Sequence, residues 1–493
     1  MEVYVYLQRL TDSLKSIAQT DPSRTALSWP GNELSYGGLW SMAQDLAWQF
    51  PESVTAGSLV LVESGKNPRF VALMISLGLC KATPLVVPGR LGDEVREKLI
   101  VRSGASHIAS FTDAGKLRVA ETGQVPKLHA DERVPLCLTT SGSTGVPKVV
   151  VLSKAGISNF IDWAQSYFSI KTGTRILSIA PFNFDLSLLE LWAGLDAGAE
   201  VILADPERST EPGYLMDLCT EAKPEIVQAV PLFHERLCST EREEAGFSPR
   251  HVIVTGEAAP RTLRQRMAGQ FPSAVFHNIY GSTETNDSFI LSLGGEDFAA
   301  AEKLGIGWPI ADTCFYITED PDEPATGELF TATPFAASGY SDPEQTLNAF
   351  LPRLENERLV TYFRTGDRVQ QQPDGSLLLI GRADYVVKLR GVRTNLLDVE
   401  DVIRLHEAVR NVATLPYRDI VSGQQQLLAV VETCPGTPVS NLEMRAHCAL
   451  HLPRSALPNR YVLTQEPLPK TSTGKINRGA VQRLYAPKPE KSA

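Results

Sequence analysis

The sequence predicts an α/β protein with two domains, a large layered N-terminal α/β domain and a small α+β C-terminal domain. Its 493 residues exceed what one hydrophobic core usually holds. Apolar runs such as Thr83–Val87 and Glu200–Leu203 are continuous rather than alternating, as is typical of strands covered on both faces. Helical segments separate these runs, and this alternation predicts α/β layers.

The N-terminal domain begins with apolar residues at helical spacing over residues 6–17, before an Asp21-Pro22 break. Residues 71–80 form an uncharged apolar stretch, which predicts a buried helix because it is too short to span a bilayer. One strand is predicted before this helix, at 58–62. The strands predicted after it are 83–87, 134–138, 149–152, 176–179, 200–203, 225–230 and 251–254.

The C-terminal domain begins after a polar turn at residues 370–375. A strand is predicted at 376–380, and a glycine-containing segment follows at 381–384. Beyond it the pattern predicts two helices and one strand, at 397–405, 441–450 and 426–431. We place the boundary so that the domains span residues 1–381 and 382–493, which gives a second domain of ordinary size.

Composition and charge exclude several classes of function. A net charge of −10 argues against nucleic-acid binding as the main activity. The seven cysteines are scattered without metal-ligand spacing, which indicates reduced thiols and no structural zinc. The N-terminus lacks the basic and apolar regions of a secretion signal, and no membrane-spanning stretch is found. We therefore expect a cytoplasmic protein without a membrane partner.

The most informative segment is the loop at residues 139–148, in which small and hydroxylated residues precede one cation. Its glycines allow close approach to a ligand, and clustered N–H and O–H groups suit phosphate oxygens. It lacks Walker A spacing, and from this segment alone a flexible turn with a solvated lysine is an equal alternative. The predicted phosphate contacts are Thr139, Thr140, Ser141, Gly142, Ser143, Thr144, Gly145 and Lys148.

Four further polar clusters follow in order, at residues 278–285, 362–367, 381–391 and 469–475. Together with the loop they resemble the motifs of the adenylate-forming (ANL) superfamily of acyl-CoA ligases, luciferases and peptide-synthetase adenylation domains. The resemblance extends from about residue 10 to 485. It implies ATP and Mg²⁺ as cofactors, and a mobile C-terminal domain that rotates on the segment 381–384, where Asp384 is the hinge.

The resemblance also implies roles for residues of the N-terminal domain. The loop would hold the β- and γ-phosphates, Tyr280 would stack on adenine, and Glu284 would hold Mg²⁺. The other predicted nucleotide contacts in this domain are Gly256, Glu257, Asn278, Gly281, Ser282 and Thr283.

Four residues near or within the C-terminal domain match further motifs of the superfamily. Asp367 would accept both ribose hydroxyls, a role suited to an ionised carboxylate, and Arg382 would contact ribose and phosphate. Lys475 matches the catalytic lysine that bridges the substrate carboxylate and the α-phosphate, and Lys388 is the second lysine assigned to catalysis. The alternative for Lys475 is a solvated side chain near the C-terminus.

Asp185, within the segment 183–187, matches the aspartate that amino-acid-activating members place against the substrate α-ammonium. The alternative is an aspartate that caps the following helix. Asp287 would be the one charged residue in an otherwise small and aliphatic side-chain pocket, where it would favour a diamino or hydroxy amino acid. The alternative is an acid that faces solvent or pairs with an arginine. By the same resemblance, the other pocket residues are Leu186, Leu189, Ala229, Ile253, Thr255, Ile279 and Ser288.

The predicted function is ATP-dependent activation of an amino acid to aminoacyl-AMP, with release of pyrophosphate. Transfer to the phosphopantetheine thiol of a separate carrier protein would follow, because the 18 residues after Lys475 are too few for a carrier domain. Such ligases serve nonribosomal peptide and antibiotic biosynthesis. The alternatives are an acyl- or aryl-CoA ligase, a ligase similar to D-alanine–carrier-protein ligases, and a non-catalytic nucleotide-binding relative.

Overall fold

The structure of the chain is a computed structural model that divides into two compact units. The first comprises residues 1–316, 330–365 and 371–378, and the second comprises 317–329, 366–370 and 379–493. The boundary predicted between residues 381 and 382 lies close to the last of these divisions and stays a prediction. The described residues are 6–89, 91–112, 114–126, 135–140, 147–211, 213–238, 246–320, 323–382, 385–389, 392–419, 425–452, 456–471 and 475–486.

The helices vary from short connectors to buried elements of three turns or more. One π-helix covers Leu188–Ala193 and a 3₁₀ turn covers Arg208–Thr210. The α-helices are α1 (Tyr6–Thr20), α2 (Tyr36–Ala47), α3 (Pro68–Leu79), α4 (Asp93–Ser103), α5 (Lys154–Tyr167), α6 (Gly194–Asp196), α7 (Tyr214–Ala222), α8 (Pro231–Leu237), α9 (Arg261–Gln270), α10 (Gly295–Ala300), α11 (Pro343–Ala349), α12 (Leu396–Arg404), α13 (Asn441–His451) and α14 (Arg478–Tyr485).

Most strands are short, as the sequence predicts. They are β1 (Thr25–Trp29), β2 (Asn32–Ser35), β3 (Leu59–Glu63), β4 (Thr83–Val87), β5 (His107–Phe111), β6 (Leu117–Glu121), β7 (Leu136–Thr140), β8 (Lys148–Leu152), β9 (Arg175–Ser178), β10 (Glu200–Leu203), β11 (Ile226–Ala229), β12 (His251–Thr255), β13 (Val275–Ser282), β14 (Asn286–Leu293), β15 (Trp308–Pro309), β16 (Cys314–Asp320), β17 (Glu323–Ala332), β18 (Gly339–Tyr340), β19 (Phe350–Glu355), β20 (Arg358–Gln371), β21 (Leu377–Arg382), β22 (Val386–Leu389), β23 (Val392–Asn395), β24 (Val409–Arg418), β25 (Gln425–Thr433) and β26 (Arg460–Thr464).

Two large sheets dominate the first unit. Over the described residues, one has the order β15-β14-β13-β12-β11-β9-β10-β1-β2 and the other has the order β18-β8-β7-β4-β3-β5-β6. The strands β9 to β13 pair in parallel, as do β3, β4 and β5 and the pair β4–β7. All five residues of β4 are buried, which is why this strand is a continuous apolar run in the sequence.

The main core of the first unit joins both sheets. Leu27 and Val60, one from each sheet, belong to one buried cluster with Leu14 of α1, Leu39 of α2 and Leu73 of α3. Eight consecutive residues of α3 are buried, because the helix packs against α1, α2 and β4. The apolar stretch at residues 71–80, predicted to be a buried helix, therefore lies mostly within the buried helix α3.

The second unit contains its own core. Strands β24, β25 and β26 form a sheet, in which β24–β25 is antiparallel and β25–β26 is parallel. Helices α12 and α13 contribute Val399, Ile403 and Met444 to a cluster with Leu427 of β25. The apolar positions of α12 lie on one face, and that periodicity is the signal that predicted this helix.

The predicted fold class is confirmed, a large α/β part with a smaller C-terminal domain. Several element bounds differ from the predictions by one or two residues, because the ends of strands and helices depend on partners distant in sequence. For example, the strand predicted at 376–380 is β21 (Leu377–Arg382). Among the helices of the described residues, none combines the length and the apolar character needed to cross a bilayer.

Candidate active site

The predicted phosphate loop closes the hairpin between β7 and β8. These strands are antiparallel, and Thr140 lies opposite Lys148. Since β7 also pairs in parallel with β4, the loop follows the carboxyl end of a parallel strand, where α/β sheets commonly bind ligands. Thr139 is buried, and its hydroxyl donates to the Val86 carbonyl at 3.5 Å. The predicted loop contacts outside the described residues are Ser141, Gly142, Ser143, Thr144 and Gly145.

Lys148 and Glu284 both contact one tyrosine. The Lys148 Nζ is 4.9 Å from the centroid of the Tyr340 ring, and the Tyr340 hydroxyl donates to Glu284 Oε1 at 2.6 Å. β18 holds this tyrosine in place by pairing with β8, where Tyr340 is opposite Val150. Burial, reinforced by the neighbouring carboxylate, raises the pKa of Tyr340, so its hydroxyl remains a donor. The loop lysine and the predicted metal ligand therefore belong to one cluster.

The β13–β14 hairpin positions Glu284 in its turn. The ladder is irregular between Tyr280 and Gly281, and a Cβ at Gly281 would lie 2.0 Å from the Asn286 carbonyl oxygen. Only glycine fits this close approach. The Ser282 carbonyl accepts from the Thr285 backbone N–H at 3.0 Å, which closes the turn around the buried Glu284.

The remaining predicted nucleotide contacts of the first unit lie within or just after neighbouring strands. Asn278 in β13 is buried, and its side-chain amide donates to the Gly305 carbonyl at 2.8 Å. Gly256 follows β12 with a φ of 81°, a conformation that glycine adopts without strain. Glu257 beside it and Thr283 in the hairpin turn are exposed and half-buried, respectively.

The donor set around Glu284 fits a magnesium ion that is bound together with phosphate oxygens. Within the described residues no three His, Cys, Asp or Glu side chains converge on one point. Mg²⁺ in nucleotide sites takes one or two carboxylates and completes its shell with phosphate oxygens and water. Glu284 is a buried carboxylate near the lysine of a hydroxyl-rich loop, which meets this requirement.

Asp185 lies in a tight turn before the π-helix. Its carboxylate accepts from the Leu186 backbone N–H at 3.0 Å, and its carbonyl accepts from the Leu188 N–H at 2.8 Å. The residue before the π-helix, Ser187, makes no side-chain capping bond. The Asp185 carboxylate thus bonds to the next residue in the turn.

Asp287 lies in β14 under the electrostatic influence of Asp185. The Asp287 pKa is raised to about 8, first because the carboxyl group is buried and second because the Asp185 carboxylate is near. Its backbone N–H donates to the Asn286 side chain at 2.9 Å, and the residue as a whole is half-buried. The Asp185 carboxylate therefore acts electrostatically on Asp287 at this position.

The other predicted pocket residues lie on adjacent elements. Ala229 and Thr255 are the last residues of β11 and β12, and Ile279 lies within β13 opposite Thr255 in the ladder. The Leu186 carbonyl, in the Asp185 turn, accepts from the Gln228 side chain at 3.1 Å, which ties the turn to β11. The buried members of the predicted pocket are Leu189, Ala229, Ile253, Thr255, Ile279 and Ser288, whereas Leu186 is half-buried.

In the second unit, Asp367 and Arg382 lie together. Arg382 Nη1 donates to Asp367 Oδ1 at 3.1 Å, and the Asp367 side chain is 16% exposed against 39% for Arg382. Gly366 has a φ of 73°, and a Cβ there would lie 2.7 Å from the Arg382 guanidinium. A glycine at this position thus permits the approach of the two residues that the sequence assigned to the ribose.

Lys475 lies at the base of a short hairpin. The Thr471 N–H donates to the Lys475 carbonyl at 2.7 Å, and Lys470 pairs with Ile476. The side chain of Lys475 is exposed. Just beyond it, Arg478 makes two 2.6 Å contacts with the buried carboxylate of Glu400 in α12, one from each terminal nitrogen. This buried ion pair anchors the segment that carries the predicted catalytic lysine.

Two predicted residues of this unit are described incompletely or not at all. Lys388 lies in β22 opposite Arg393, and its backbone alone is described. The predicted hinge residue Asp384 lies outside the described residues.

Sequence reasoning missed Tyr340 and the pair formed by Arg478 and Glu400. Tyr340 is 56 residues from Glu284 and matches no motif, so no local pattern links the two. Arg478 does lie three positions after the predicted catalytic lysine, and its proximity to that motif is a signal that would have singled it out.

Two family models match the chain. That of AMP-binding enzymes matches residues 14–341, and that of the AMP-binding enzyme C-terminal domain matches residues 398–475. The first alone extends over more than half of the chain.

Two relatives differ in how much of their own length is matched. A dimodular nonribosomal peptide synthase of Bacillus subtilis is 32% identical over 504 residues, a match that covers 96% of this chain but 21% of that protein. The chain therefore spans about a fifth of that relative. A D-alanine–D-alanyl carrier protein ligase of Bacillus velezensis is 26% identical, over 95% of this chain and 98% of the ligase.

Solved structures share the fold over nearly the whole chain. NpsA of Klebsiella oxytoca, in complex with 3-hydroxyanthranilyl-AMSN, has a TM-score of 0.77 at 23% identity, and the match covers 96% of this chain and 99% of NpsA. The o-succinylbenzoate CoA synthetase MenE of Bacillus subtilis, in complex with an acyl-adenylate, has a TM-score of 0.79 at 20% identity, over 97% and 99%. At these identities the likeness concerns the fold.

Proposed function

Because the chain belongs to the AMP-binding enzyme family of adenylate-forming ligases, we propose that it activates an amino acid with ATP and loads it onto a separate carrier protein. A carboxylate oxygen of the amino acid attacks the α-phosphorus of ATP, the bond from that phosphorus to the bridging oxygen breaks, and pyrophosphate leaves. The phosphopantetheine thiol of the carrier then attacks the acyl carbon, loses its proton, and displaces AMP.

The observation that carries this proposal is the position of Asp185 among the pocket elements. Its turn is bonded to β11, which ends at Ala229, and its charge acts on Asp287. Two unit charges ~4 Å apart attract by about 4 kcal/mol at an effective dielectric near 20, before desolvation is counted. An α-ammonium would form a charge pair with this half-buried carboxylate, and a fatty or aryl acid, which has no amine, could not form it.

Residues of the first unit bind the nucleotide and its metal ion in this proposal. Lys148 and the loop 139–148 bind the β- and γ-phosphates, and Tyr280 stacks on adenine. Glu284 holds Mg²⁺, which when bound neutralises phosphate charge and thereby eases pyrophosphate departure. The Tyr340 hydroxyl fixes the orientation of this carboxylate through its 2.6 Å bond.

Residues of the second unit bind the ribose and take part in catalysis in this proposal. Asp367 accepts the ribose hydroxyls, and Arg382 contacts ribose and phosphate from beside it. Lys475 bridges the substrate carboxylate and the α-phosphate, and Lys388 assists catalysis. The hinge at 381–384 allows this unit to serve adenylation in one pose and thioester formation in another.

Support for the carrier as acceptor comes from the relatives. The Bacillus velezensis protein that matches the chain over nearly its full length is named for a D-alanyl carrier protein. One structural neighbour is NpsA fused to a peptidyl carrier protein domain, with a TM-score of 0.64 at 23% identity. We expect a carrier of separate sequence, a role in nonribosomal peptide biosynthesis, and a cytoplasmic location.

Amino-acid-dependent exchange of ³²P-pyrophosphate into ATP tests the proposal. The panel contains proteinogenic, D-, diamino and hydroxy amino acids, and each has a control that lacks the amine. We expect exchange with one group of amino acids and not with its amine-free analogue. Exchange with the amine-free acids, together with coenzyme A as acceptor, would identify an acyl- or aryl-CoA ligase. Nucleotide binding without exchange would identify a non-catalytic relative.

Mutation of Tyr340 to phenylalanine tests the metal ligand. Loss of the hydroxyl that orients Glu284 is expected to raise the Mg²⁺ concentration needed for half-maximal exchange on the order of tenfold, as outer-shell substitutions commonly do. Tyr167→Phe is the matched control, because that tyrosine is exposed and its hydroxyl contacts Ser292 instead. If Tyr340→Phe needs the same Mg²⁺ concentration as the wild type, Tyr340 does not orient Glu284 as a ligand of Mg²⁺.

Mutation of Asp287 to asparagine tests the side-chain selectivity. We expect exchange with diamino or hydroxy substrates to fall by about tenfold relative to apolar amino acids, since a hydrogen bond to a charged partner is lost. For a diamino substrate, the specificity constant of the wild type should rise with pH and level off above about 8, because the ionised Asp287 carboxylate is the form that pairs with a second ammonium. Asp45→Asn, an exposed aspartate on α2, is the control. The same ranking of substrates in Asp287→Asn as in the wild type would contradict this selectivity.

A further inference from the structure

A buried ion pair lies at the base of the segment that carries Asp185. Lys66, from the loop before α3, and Glu190, from the π-helix, approach to 4.0 Å, and their side chains are 2% and 0% exposed. Burial lowers the pKa of Lys66, and the Glu190 carboxylate opposes that shift. No motif in the sequence singled out either residue.

Both members of the pair bind the segment 178–180 at the end of β9. Lys66 Nζ donates to the Ser178 hydroxyl at 3.0 Å and to the Ala180 carbonyl at 2.5 Å. Glu190 Oε2 accepts from the Ser178 hydroxyl at 3.1 Å and from the N–H groups of Ile179 and Ala180 at 2.9 and 3.0 Å. The backbone that enters the Asp185 turn is therefore held from two sides.

The same contacts close the Asp185 segment into a loop with fixed ends. Its first end is the Ser178–Ala180 backbone, and its last end is Glu190 itself, inside the π-helix. Single-turn π-helices are rare in proteins as a whole. Those that do occur are often found at functional sites. Lys66 also lies 4.8 Å from the ring centroid of Phe182, inside this loop, and that ring stacks on Phe70 at 5.4 Å.

A buried ion pair is poor evidence for a purely stabilising role, because apolar residues of similar volume often stabilise a fold as well or better. What apolar residues cannot supply are the hydrogen bonds to Ser178, Ile179 and Ala180. These bonds determine where the following turn begins. A small displacement of a binding group can lower activity about a hundredfold, so the position of this turn matters for the substrate.

We propose that Lys66 and Glu190 are positioning residues that hold the Asp185 turn in place for the ammonium of the substrate. This inference rests on the proposed function, in which Asp185 is the ammonium ligand. The pair does not touch the substrate, and it acts through the backbone of residues 178–190. The affinity for the amino acid, and not that for ATP, should therefore depend on it.

The test compares Lys66→Met, Glu190→Gln and the double variant Lys66→Met/Glu190→Leu in the exchange assay. Each single variant leaves a buried charge or hydrogen-bonding group without its partner, so the double variant, in which both are apolar, keeps the test meaningful if the single variants unfold. We expect the double variant to retain a thermal unfolding midpoint near that of the wild type.

In the same double variant, the KM for the amino acid is expected to rise about tenfold or more, while the KM for ATP stays unchanged. Lys171→Met, an exposed lysine of the same unit, is the matched control.

Recovery of both the unfolding midpoint and the KM for the amino acid in the double variant would overturn the inference, because the pair would then be merely structural. An equal rise of KM for ATP and for the amino acid would overturn it as well. Asp185→Asn, measured in parallel, separates this inference from the proposed function. If that variant leaves the KM for the amino acid unchanged, the proposed function fails. If it raises KM but the Lys66 and Glu190 variants do not, only the positioning role fails.

Discussion

Replacement of Lys475 by alanine is expected to slow adenylate formation by on the order of 100- to 1,000-fold, the range for removal of one donor that stabilises a developing anion. Adenylation brings a carboxylate to a phosphate, so negative charge accumulates where the Lys475 ammonium is proposed to lie. The exposed side chain makes the substitution compatible with folding, and the hairpin at its base depends on backbone bonds that alanine keeps.

The expected loss is confined to one half-reaction. Thioester formation from supplied aminoacyl-adenylate should continue near the wild-type rate, because the hinge at 381–384 is proposed to remove Lys475 from the site in that step. Single-turnover measurements of each half-reaction provide the comparison. Arg483→Ala, an exposed cation on α14, is the matched control. Equal losses in both half-reactions would contradict the two-pose assignment.

Replacement of Asp185 by asparagine is expected to raise the KM for the amino acid by about 30-fold or more, the loss that follows removal of one partner of a buried charge pair. Asparagine has nearly the same shape, and its side-chain oxygen can still accept from the Leu186 N–H, so the turn is kept while the charge is removed. The KM for ATP should stay unchanged.

The amine-free analogue of the substrate sharpens this second test. The wild type should discriminate strongly between the amino acid and its analogue, whereas Asp185→Asn should discriminate far less, since the variant has no charge for an ammonium to pair with. Exchange kinetics on both compounds, with Asp45→Asn as control, give the two ratios. If Asp185→Asn discriminates as the wild type does, Asp185 has the structural role of a turn residue.

Local patterns in the sequence were sufficient to predict the fold class and the approximate place of most elements. The strand β4 was predicted with its observed ends, because a strand buried on both faces is apolar at every position. Helix α3 was predicted from its apolar stretch for the same reason. The ends of β11 and β21 were less accurate, because the last pairs of a ladder depend on the neighbouring strand and not on the strand's own residues.

The candidate site could be predicted in part. Motifs identified Asp185, Glu284 and Asp367 as chemistry-bearing residues, and family membership supports that interpretation. The assignment of each role stays a prediction that the variants above test. The orientation of Asp287 was open in the sequence, and its interaction with Asp185 became evident only from the folded chain.

The sequence by itself determined the α/β layers and the order of the polar motifs, because hydrophobic periodicity and turn chemistry act over a few neighbouring residues. The tertiary structure alone decided the partners of those motifs. Tyr340 reaches Glu284 across 56 residues, and Lys66 reaches Ser178 across 112. Such contacts follow from which strands become neighbours in the sheets and from which charges must find partners when they are buried. No local pattern in the chain contains that information.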